Sequence, residues 1–176
     1  MKNIIWLLLP LSLFFQQCTS QTPKINAVEV QQLLASKNFT FMATRAIPSA
    51  SDINNIIVNM PNRNSQRILE LSHGYTVKIE DGMLSVDLPY FGRVFHPTYG
   101  TDNQGIKFSS TDFTITEQAD AKGKTTFIIK PKDVTRVNIM YLDIYKNGTA
   151  YLSVNSIDRQ PISYNGYIMS NTASTK

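Results

Sequence analysis

Cysteine and histidine are the scarcest chemically reactive residues of this sequence. It contains one cysteine, Cys18, and two histidines, His73 and His96. A single thiol excludes an intrachain disulfide, so the fold has to be stable without covalent cross-links. A zinc site usually takes about three or four ligands, mostly from cysteine and histidine. We therefore expect no metal site in this chain.

The signatures of catalysis, cofactor binding and nucleic-acid binding are missing as well. There is no Gly-x-Ser-x-Gly elbow, no pair of catalytic carboxylates at helical spacing and no phosphate-binding loop. The formal net charge is only +4, and the basic residues are scattered, so no stretch is long enough to follow a phosphate backbone. We expect no cofactor and no nucleic-acid partner. A catalytic role is left to His96, which would need a nucleophile beside it to act as a general base.

Long apolar runs are absent except near the N-terminus. After Lys2, the run over residues 4–15 is about 12 residues long, which is short for a bilayer span but typical of a secretion signal. Cys18 follows soon after, which predicts a lipoprotein signal peptide over residues 1–17 and an acylated Cys18 as the first mature residue. Gln17 stands where a small residue is usual. The alternative is an uncleaved anchor or a plain signal with an incidental cysteine.

The rest of the chain is predicted to form one β-rich domain over residues 25–169. A polar tether over residues 18–24 precedes it, and a disordered tail over residues 170–176 follows it. Residues 25–37 fit one short helix, which Asn26 is suited to cap. The apolar side of this helix is assigned to Ile25, Val28, Leu33 and Leu34.

Asp81 and Gly82 give the clearest hairpin signal, because both residues tolerate the positive φ that a tight turn requires. The flanking strands then fall into one register, with an apolar and a polar face. The apolar pairs are Tyr75 with Leu88, Val77 with Val86 and Ile79 with Leu84, and the polar pairs are Thr76 with Asp87 and Lys78 with Ser85.

Three further hairpins are predicted from turns that contain glycine. They join residues 113–118 to 125–130, turn at Asn147 and Gly148, and turn at Asn165 and Gly166. Residues 39–46 and 53–60 are predicted as additional strands. The pattern predicts a mainly β fold, with an antiparallel sheet curled into a small barrel or barrel-like sandwich after one N-terminal helix.

Residues 137–145 are predicted to form a strand in which neither face is purely polar. Tyr141 and Tyr145 lie on one face, opposite an aliphatic face. We interpret this as a central strand covered on both sides. The alternative is a tyrosine face directed towards a cavity. The aliphatic face consists of Met140, Leu142 and Ile144.

Several stretches of this domain resemble one protein family. They read VDLPYFGRV over residues 86–94, GIKF over 105–108, NGTAYLSVNS over 147–156 and RQPISYNG over 159–166. In this order they are similar to domain of unknown function 4251, found in envelope lipoproteins of Bacteroidota. The resemblance covers about residues 27–168, and the chain departs from it in a longer, Asn-rich stretch over residues 50–72. The family resemblance supports the expected fold and location of the protein and implies no activity.

The resemblance also bears on location. The residues after Cys18 include no neighbouring aspartate and no acidic cluster. In the context of that family, this favours the periplasmic face of the outer membrane. We therefore expect a cell-envelope protein attached to the membrane through a lipid anchor at Cys18.

The candidate ligand-binding segment is Leu-Pro-Tyr-Phe-Gly-Arg, at residues 88–93. Its proline cannot donate to a sheet, so the strand ends there or moves to an edge, and its glycine permits a tight bend. Tyr90, Phe91 and Arg93 would then be presented just beyond a strand end. An arginine at such a place can hold a carboxylate or phosphate, and aromatic rings can stack on a sugar or another ring.

Arg159 and Tyr164 are predicted to join the same ligand-binding surface. For these two residues the alternative is an edge strand whose arginine extends along apolar surface into water. For the segment itself the alternative is structural, with its aromatic rings plugging one end of the core and Arg93 paired with Asp87.

These observations leave three hypotheses for function. The first is a non-enzymatic envelope lipoprotein that binds a small molecule, a glycan or a protein partner. The second is a structural or assembly factor of the envelope without a small ligand, and the third is a hydrolase that uses His96. A pocket lined by Tyr90, Arg93 and Arg159 would favour the first, and a filled core with a flat apolar outer patch would favour the second.

Overall fold

A computed structural model describes residues 25–53, 69–72, 74–95 and 105–171 of the chain. Its elements are α1 (Ala27–Ser36), β1 (Phe39–Ile47), β2 (Thr76–Glu80), β3 (Met83–Pro89), β4 (Gly105–Ser110), β5 (Phe113–Ala119), β6 (Thr125–Pro131), β7 (Val137–Ile144), β8 (Thr149–Ser156) and β9 (Ile162–Ser170). The nine strands form one antiparallel sheet in the order β4-β3-β2-β1-β9-β8-β7-β6-β5, nearly closed into a barrel. The predicted mainly β fold with one N-terminal helix is confirmed.

Several predictions fall outside the described residues. They concern the signal over residues 1–17, the tether over 18–24, the strand over 53–60 beyond its first residue, and the tail beyond Asn171. β9 continues through Ser170, and the side-chain amide of Asn171 then donates to the backbone oxygen of Ile79 at 2.8 Å. No helix within the described ranges is long and apolar enough to cross a membrane.

The helix α1 begins where the sequence predicts. The Asn26 side chain accepts a hydrogen bond from the Glu29 backbone N–H at 2.8 Å, which satisfies one of the free donors of the first turn. The assignment of the apolar side was wrong at one position, since Val28 is 65% exposed and Val30 is buried. Residues two apart in a helix lie about 200° from each other, so only one of these valines can face the sheet.

The β2–β3 hairpin has the predicted turn and register. Asp81 and Gly82 both have positive φ, at 49° and 77°. Ile79 faces Leu84 across the hairpin, as predicted. The turn therefore fixes which faces of β2 and β3 enter the core. The other confirmed pairs are Val77 with Val86, Thr76 with Asp87, and Lys78 with Ser85.

The β7–β8 hairpin also forms, but the interpretation of its tyrosine face was wrong. Met140, Leu142 and Ile144 are buried, whereas Tyr141 and Tyr145 are 37% and 43% exposed. The tyrosine face therefore lies on the outer surface of the barrel, where both rings are partly exposed. The rings are amphipathic enough to remain in contact with water.

The predicted β5–β6 hairpin forms, whereas the one at Asn165 and Gly166 does not. Both residues lie inside the continuous strand β9, which pairs with β1 and β8. Gly166 is required there by close packing, since a Cβ at this position would collide with the Met42 backbone oxygen and the Phe41 ring. β1 bulges opposite, at Thr44, where the register with β9 shifts.

The first and last strands lie side by side in the middle of the sheet. β9 pairs with β1 on one edge and with β8 on the other, so it joins the β1–β4 half to the β5–β8 half. Aromatic side chains from both halves meet in the core. The rings of Phe39 and Phe127 are tilted, with centroids 5.7 Å apart, and both residues are fully buried.

The contribution of the β2–β3 turn to the free energy of unfolding can be tested by substitution. Gly82→Val places a β-branched residue at positive φ, which should lower the free energy of unfolding by about 1–3 kcal/mol, because no contact compensates for the backbone strain. Asp81→Asn is the matched control and should be nearly neutral, since asparagine tolerates the left-handed region. Urea denaturation of the three proteins measures the difference, and equal loss in both variants would contradict this account of the turn.

Candidate functional site

The segment after β3 covers one end of the barrel. We call residues 90–95 the closing segment. It pairs with the β8–β9 turn through a bridge between Val94 and Arg159. The Phe95 N–H donates to the Asp158 backbone oxygen at 2.7 Å, and the Gln160 N–H donates to the Arg93 backbone oxygen at 3.0 Å. This end is therefore built by two loops that lie far apart in sequence.

Arg159 is the buried centre of this end and is only 4% exposed. Its Nε and Nη2 donate to the two carboxylate oxygens of Asp158 at 3.1 and 3.0 Å, and its Nη1 donates to the Gly105 backbone oxygen at 3.0 Å. The guanidinium carbon also lies 4.9 Å from the centre of the Tyr90 ring. Arg159 therefore does not extend along an edge strand into water, as one interpretation of the sequence held.

The electrostatics of the ion pair follow from this burial. Burial alone would raise the pKa of Asp158, but the hydrogen bonds and the positive charge of Arg159 outweigh it and hold the pKa below its usual range. Asp158 is thus charged at neutral pH. The pair contributes stability above the unfolded-state pKa of Asp158, and that contribution is lost as the pH falls through the lowered folded-state value.

Two tyrosines complete the end as hydrogen-bond donors to backbone oxygens. The Tyr164 hydroxyl donates to Pro89 at 2.6 Å, and its ring is fully buried. The Tyr90 hydroxyl lies 2.9 Å from the Arg93 oxygen and 3.0 Å from the Gln160 oxygen, and can donate to either. Burial raises the pKa of Tyr90 to about 12 and also raises that of Tyr164. Neither phenol is ionised near neutral pH, so both hold the fold together as neutral donors.

The remaining predicted binding residues lie closer to the surface. Phe91 is half-buried and lines a shallow hollow of about 620 Å³ together with Tyr90. Arg93 is exposed. It has not taken the predicted structural partner, because Asp87 pairs with Lys107 at 2.8 Å. The predicted residues are thus split among the core, the hollow and the exposed surface.

A separate cleft opens where the barrel is not closed. It has a volume of about 280 Å³ and lies between the edge strand β4, the β6–β7 turn and the ends of β7 and β8. Of the predicted binding residues, only Arg159 lines it. We call it the seam cleft; its lining consists of Gly105, Ile106, Lys107, Phe108, Asp133, Val134, Thr135, Arg136, Val137, Ser156 and Arg159.

Asp133 fixes the position of the turn that forms one wall of the seam cleft. Its carboxylate accepts hydrogen bonds from the Ser110 hydroxyl and from the backbone N–H groups of Thr111 and Asp112, the latter two at 3.0 and 3.3 Å. These bonds, led by that from Ser110, lower the pKa of Asp133. The β6–β7 turn is therefore tied to the two-residue link between the edge strands β4 and β5.

Two polar groups in the seam cleft retain hydrogen-bonding capacity. The Ser156 hydroxyl is buried and has no hydrogen-bond partner among the described residues. Arg159 commits three N–H groups to the bonds given above, and a guanidinium carries about five. A buried hydroxyl without a partner is costly and rare, which singles out this cleft from the other surfaces.

The other sequence candidates for chemistry are not brought into this site. His73, His96 and Cys18 lie outside the described residues. Within the described ranges, no three histidine, cysteine, aspartate or glutamate side chains are placed to hold a metal ion. The chemistry available in the seam cleft is therefore cationic and hydrogen-bonding, with apolar walls.

Fold and cleft together define a small, barrel-like β domain with an opening of ligand size at its seam. The chain belongs to the family of the domain of unknown function DUF4251, whose model matches residues 22–168, and the predicted resemblance is confirmed. A crystal structure of a DUF4251 family protein from Bacteroides eggerthii DSM 20697, at 1.95 Å resolution, is similar to 82% of this chain and 87% of its own, with 11% sequence identity and a TM-score of 0.49. No curated protein matches the chain.

The two arginines of this end should behave differently on substitution. Arg159→Met leaves the Asp158 carboxylate buried without its partner and should lower the free energy of unfolding by about 3–5 kcal/mol. Arg93→Ala, the matched control on the closing segment, should stay within about 1 kcal/mol of the wild type. Urea denaturation measures both values. A loss of several kcal/mol from Arg93→Ala would instead assign Arg93 to the scaffold.

Proposed function

We propose that this chain is an exported lipoprotein, held at the periplasmic face of the outer membrane by an acylated Cys18, whose barrel domain binds a small molecule without chemical turnover. The observation that carries the binding role is the seam cleft, with its volume of about 280 Å³ and its unpartnered Ser156 hydroxyl. Ligand sites are typically concave and mostly apolar, with a few converging polar groups. The seam cleft is concave and brings several polar groups together beside apolar side chains.

The lining favours a ligand with an anionic group and an apolar body. Lys107, Arg136 and Arg159 line the cleft, but Asp87 pairs with Lys107 and Asp158 pairs with Arg159. Asp133 adds a negative charge that already accepts three hydrogen bonds. A carboxylate or phosphate group would accept hydrogen bonds from the N–H groups of Arg159 that are not committed to Asp158 and Gly105. The apolar remainder of such a ligand would contact Ile106, Phe108, Val134 and Val137.

The predicted binding residues acquire different roles in this proposal. Arg159 is proposed to contact the ligand directly, while Tyr164 supports the barrel end from the core. Tyr90, Phe91 and Arg93 lie outside the lining of the seam cleft, so a role for them in binding stays a prediction. A glycan stacked on the hollow beside Phe91 would be a second ligand type for the same domain.

A role in envelope assembly is the second candidate. Phe95 and Ile157 are 51% and 66% exposed, and the Phe95 N–H donates to Asp158, the residue that follows Ile157. Two large apolar side chains are thus exposed close together at the barrel end, as at many protein interfaces. Double substitution of both residues by serine would abolish partner capture if this role holds, and would leave small-molecule binding intact.

Membrane attachment is tested by Cys18→Ser. The variant should be released in soluble form or accumulate as an unprocessed precursor, because acyl chains contribute about 0.8 kcal/mol per buried CH₂ to membrane binding. Cell fractionation and the mass of the N-terminal peptide measure this. Processing and membrane fractionation like those of the wild type would remove the lipoprotein proposal.

Ligand binding in the seam cleft is tested by filling it. Val134→Trp should reduce the amount of small molecule that co-purifies with the full lipoprotein by about tenfold or more, because the larger side chain occupies the cleft. Ile157→Trp adds the same side chain at an exposed position outside the cleft and should leave that amount unchanged. Mass spectrometry of the denatured proteins measures it. Equal amounts of co-purifying small molecule in both variants would contradict the proposal.

A further inference from the structure

A second surface lies at the opposite end of β6 from the seam cleft. The β5–β6 and β7–β8 turns meet there, and the Lys146 side chain crosses Gly123, so that a Cβ on the glycine would collide with it. The turns enclose a shallow depression of about 510 Å³. We call this the lysine turn surface and define it by Lys122, Lys124, Tyr145 and Lys146.

Two ammonium groups of the lysine turn surface project into water. Lys122 and Lys146 are exposed, and neither forms an ion pair with a described residue. The nearby carboxylates are already engaged. Asp143 pairs with Lys124 at 3.1 Å, and Asp120 accepts the backbone N–H groups of Lys122 and Lys124 at 2.9 and 2.8 Å. Tyr145 adds an aromatic ring that is 43% exposed.

The described chain begins beside the same surface. A Cβ on Gly148, in the β7–β8 turn, would lie 3.3 Å from the Cβ of Ile25, so the first described residue contacts this turn. Only six residues separate Ile25 from Cys18, and their covalent geometry limits the span to about 25 Å. The last of the six is Lys24, which adds another positive charge.

We propose that the lysine turn surface rests on the membrane that holds Cys18, with Lys122 and Lys146 against anionic phospholipid headgroups. This proposal rests on the lipid anchor proposed above. The anchor raises the local concentration of lipid headgroups, so weak electrostatic contacts are enough to orient the domain. Tyrosine suits the interface, since its ring is apolar and its hydroxyl is polar. The seam cleft then points away from the bilayer, towards the aqueous phase and its solutes.

Lysine acetylation measures the orientation directly. The mature lipoprotein, purified in detergent, is inserted into preformed vesicles of phosphatidylcholine alone or with phosphatidylglycerol and labelled with an acetylating reagent. We expect Lys122 and Lys146 to be acetylated about fivefold more slowly on the anionic vesicles. Each lysine near an anionic surface strengthens membrane binding by roughly that factor, and a bound lysine is shielded from the reagent. Lys130, exposed near the other end of β6, is the internal control and should label equally on both.

A pair of variants tests the charge itself. Lys122→Glu should restore the labelling of Lys146 on anionic vesicles towards its rate on neutral ones, whereas the matched control Lys130→Glu should leave Lys146 protected. Equal labelling of Lys146 on the two kinds of vesicle overturns the proposal. Slow acetylation of Lys146 that persists in detergent also overturns the proposal, because a second copy of the protein, and not the membrane, would then cover the surface.

The same samples distinguish the two proposals. The mass of the N-terminal peptide reports whether Cys18 is acylated, independently of any lysine. An unmodified Cys18 overturns the lipid anchor and the membrane orientation together. An acylated Cys18 with unprotected Lys122 and Lys146 overturns the orientation alone.

Discussion

A buried positive charge holds one end of this barrel together. The Arg159 guanidinium joins the β8–β9 turn to the edge strand through Gly105, and it lies beside the Tyr90 ring of the closing segment. Removing such a charge from water is costly, and Asp158 offsets that cost only because both groups are fixed in one geometry. The position of the closing segment and the edge of the seam cleft both depend on this arrangement.

Local chemistry made much of the fold predictable. Asp81 and Gly82 determine their turn through backbone conformation, so the register of β2 and β3 followed from a few neighbouring residues. Asn165 and Gly166 have a similar turn composition but form no turn, because Gly166 is needed where Phe41 and Met42 approach β9 closely. That requirement comes from a strand more than a hundred residues away, and no local pattern reports it.

The site was harder to predict because it, too, depends on contacts between residues that are distant in sequence. The sequence indicated Tyr90 and Arg159 as residues of one barrel end, and the structure brings them together. Arginine is usually exposed, and the burial of Arg159 depends on the neighbouring Asp158, which no sequence motif marks. The seam cleft draws on several separate segments, and Ser156 and Asp133 have no unusual sequence context. Only the closure of the sheet gives these residues a shared surface.

The pairing of β1 with β9 has a consequence for biogenesis. The final strand occupies the centre of the sheet, so the strands made before it form two incomplete halves with unpaired edges. Of the described strands, β9 is synthesised last, and the sheet is complete only once that strand has left the ribosome. Long-range pairing of this kind is formed late in folding, because β9 must join two halves that are separate until then.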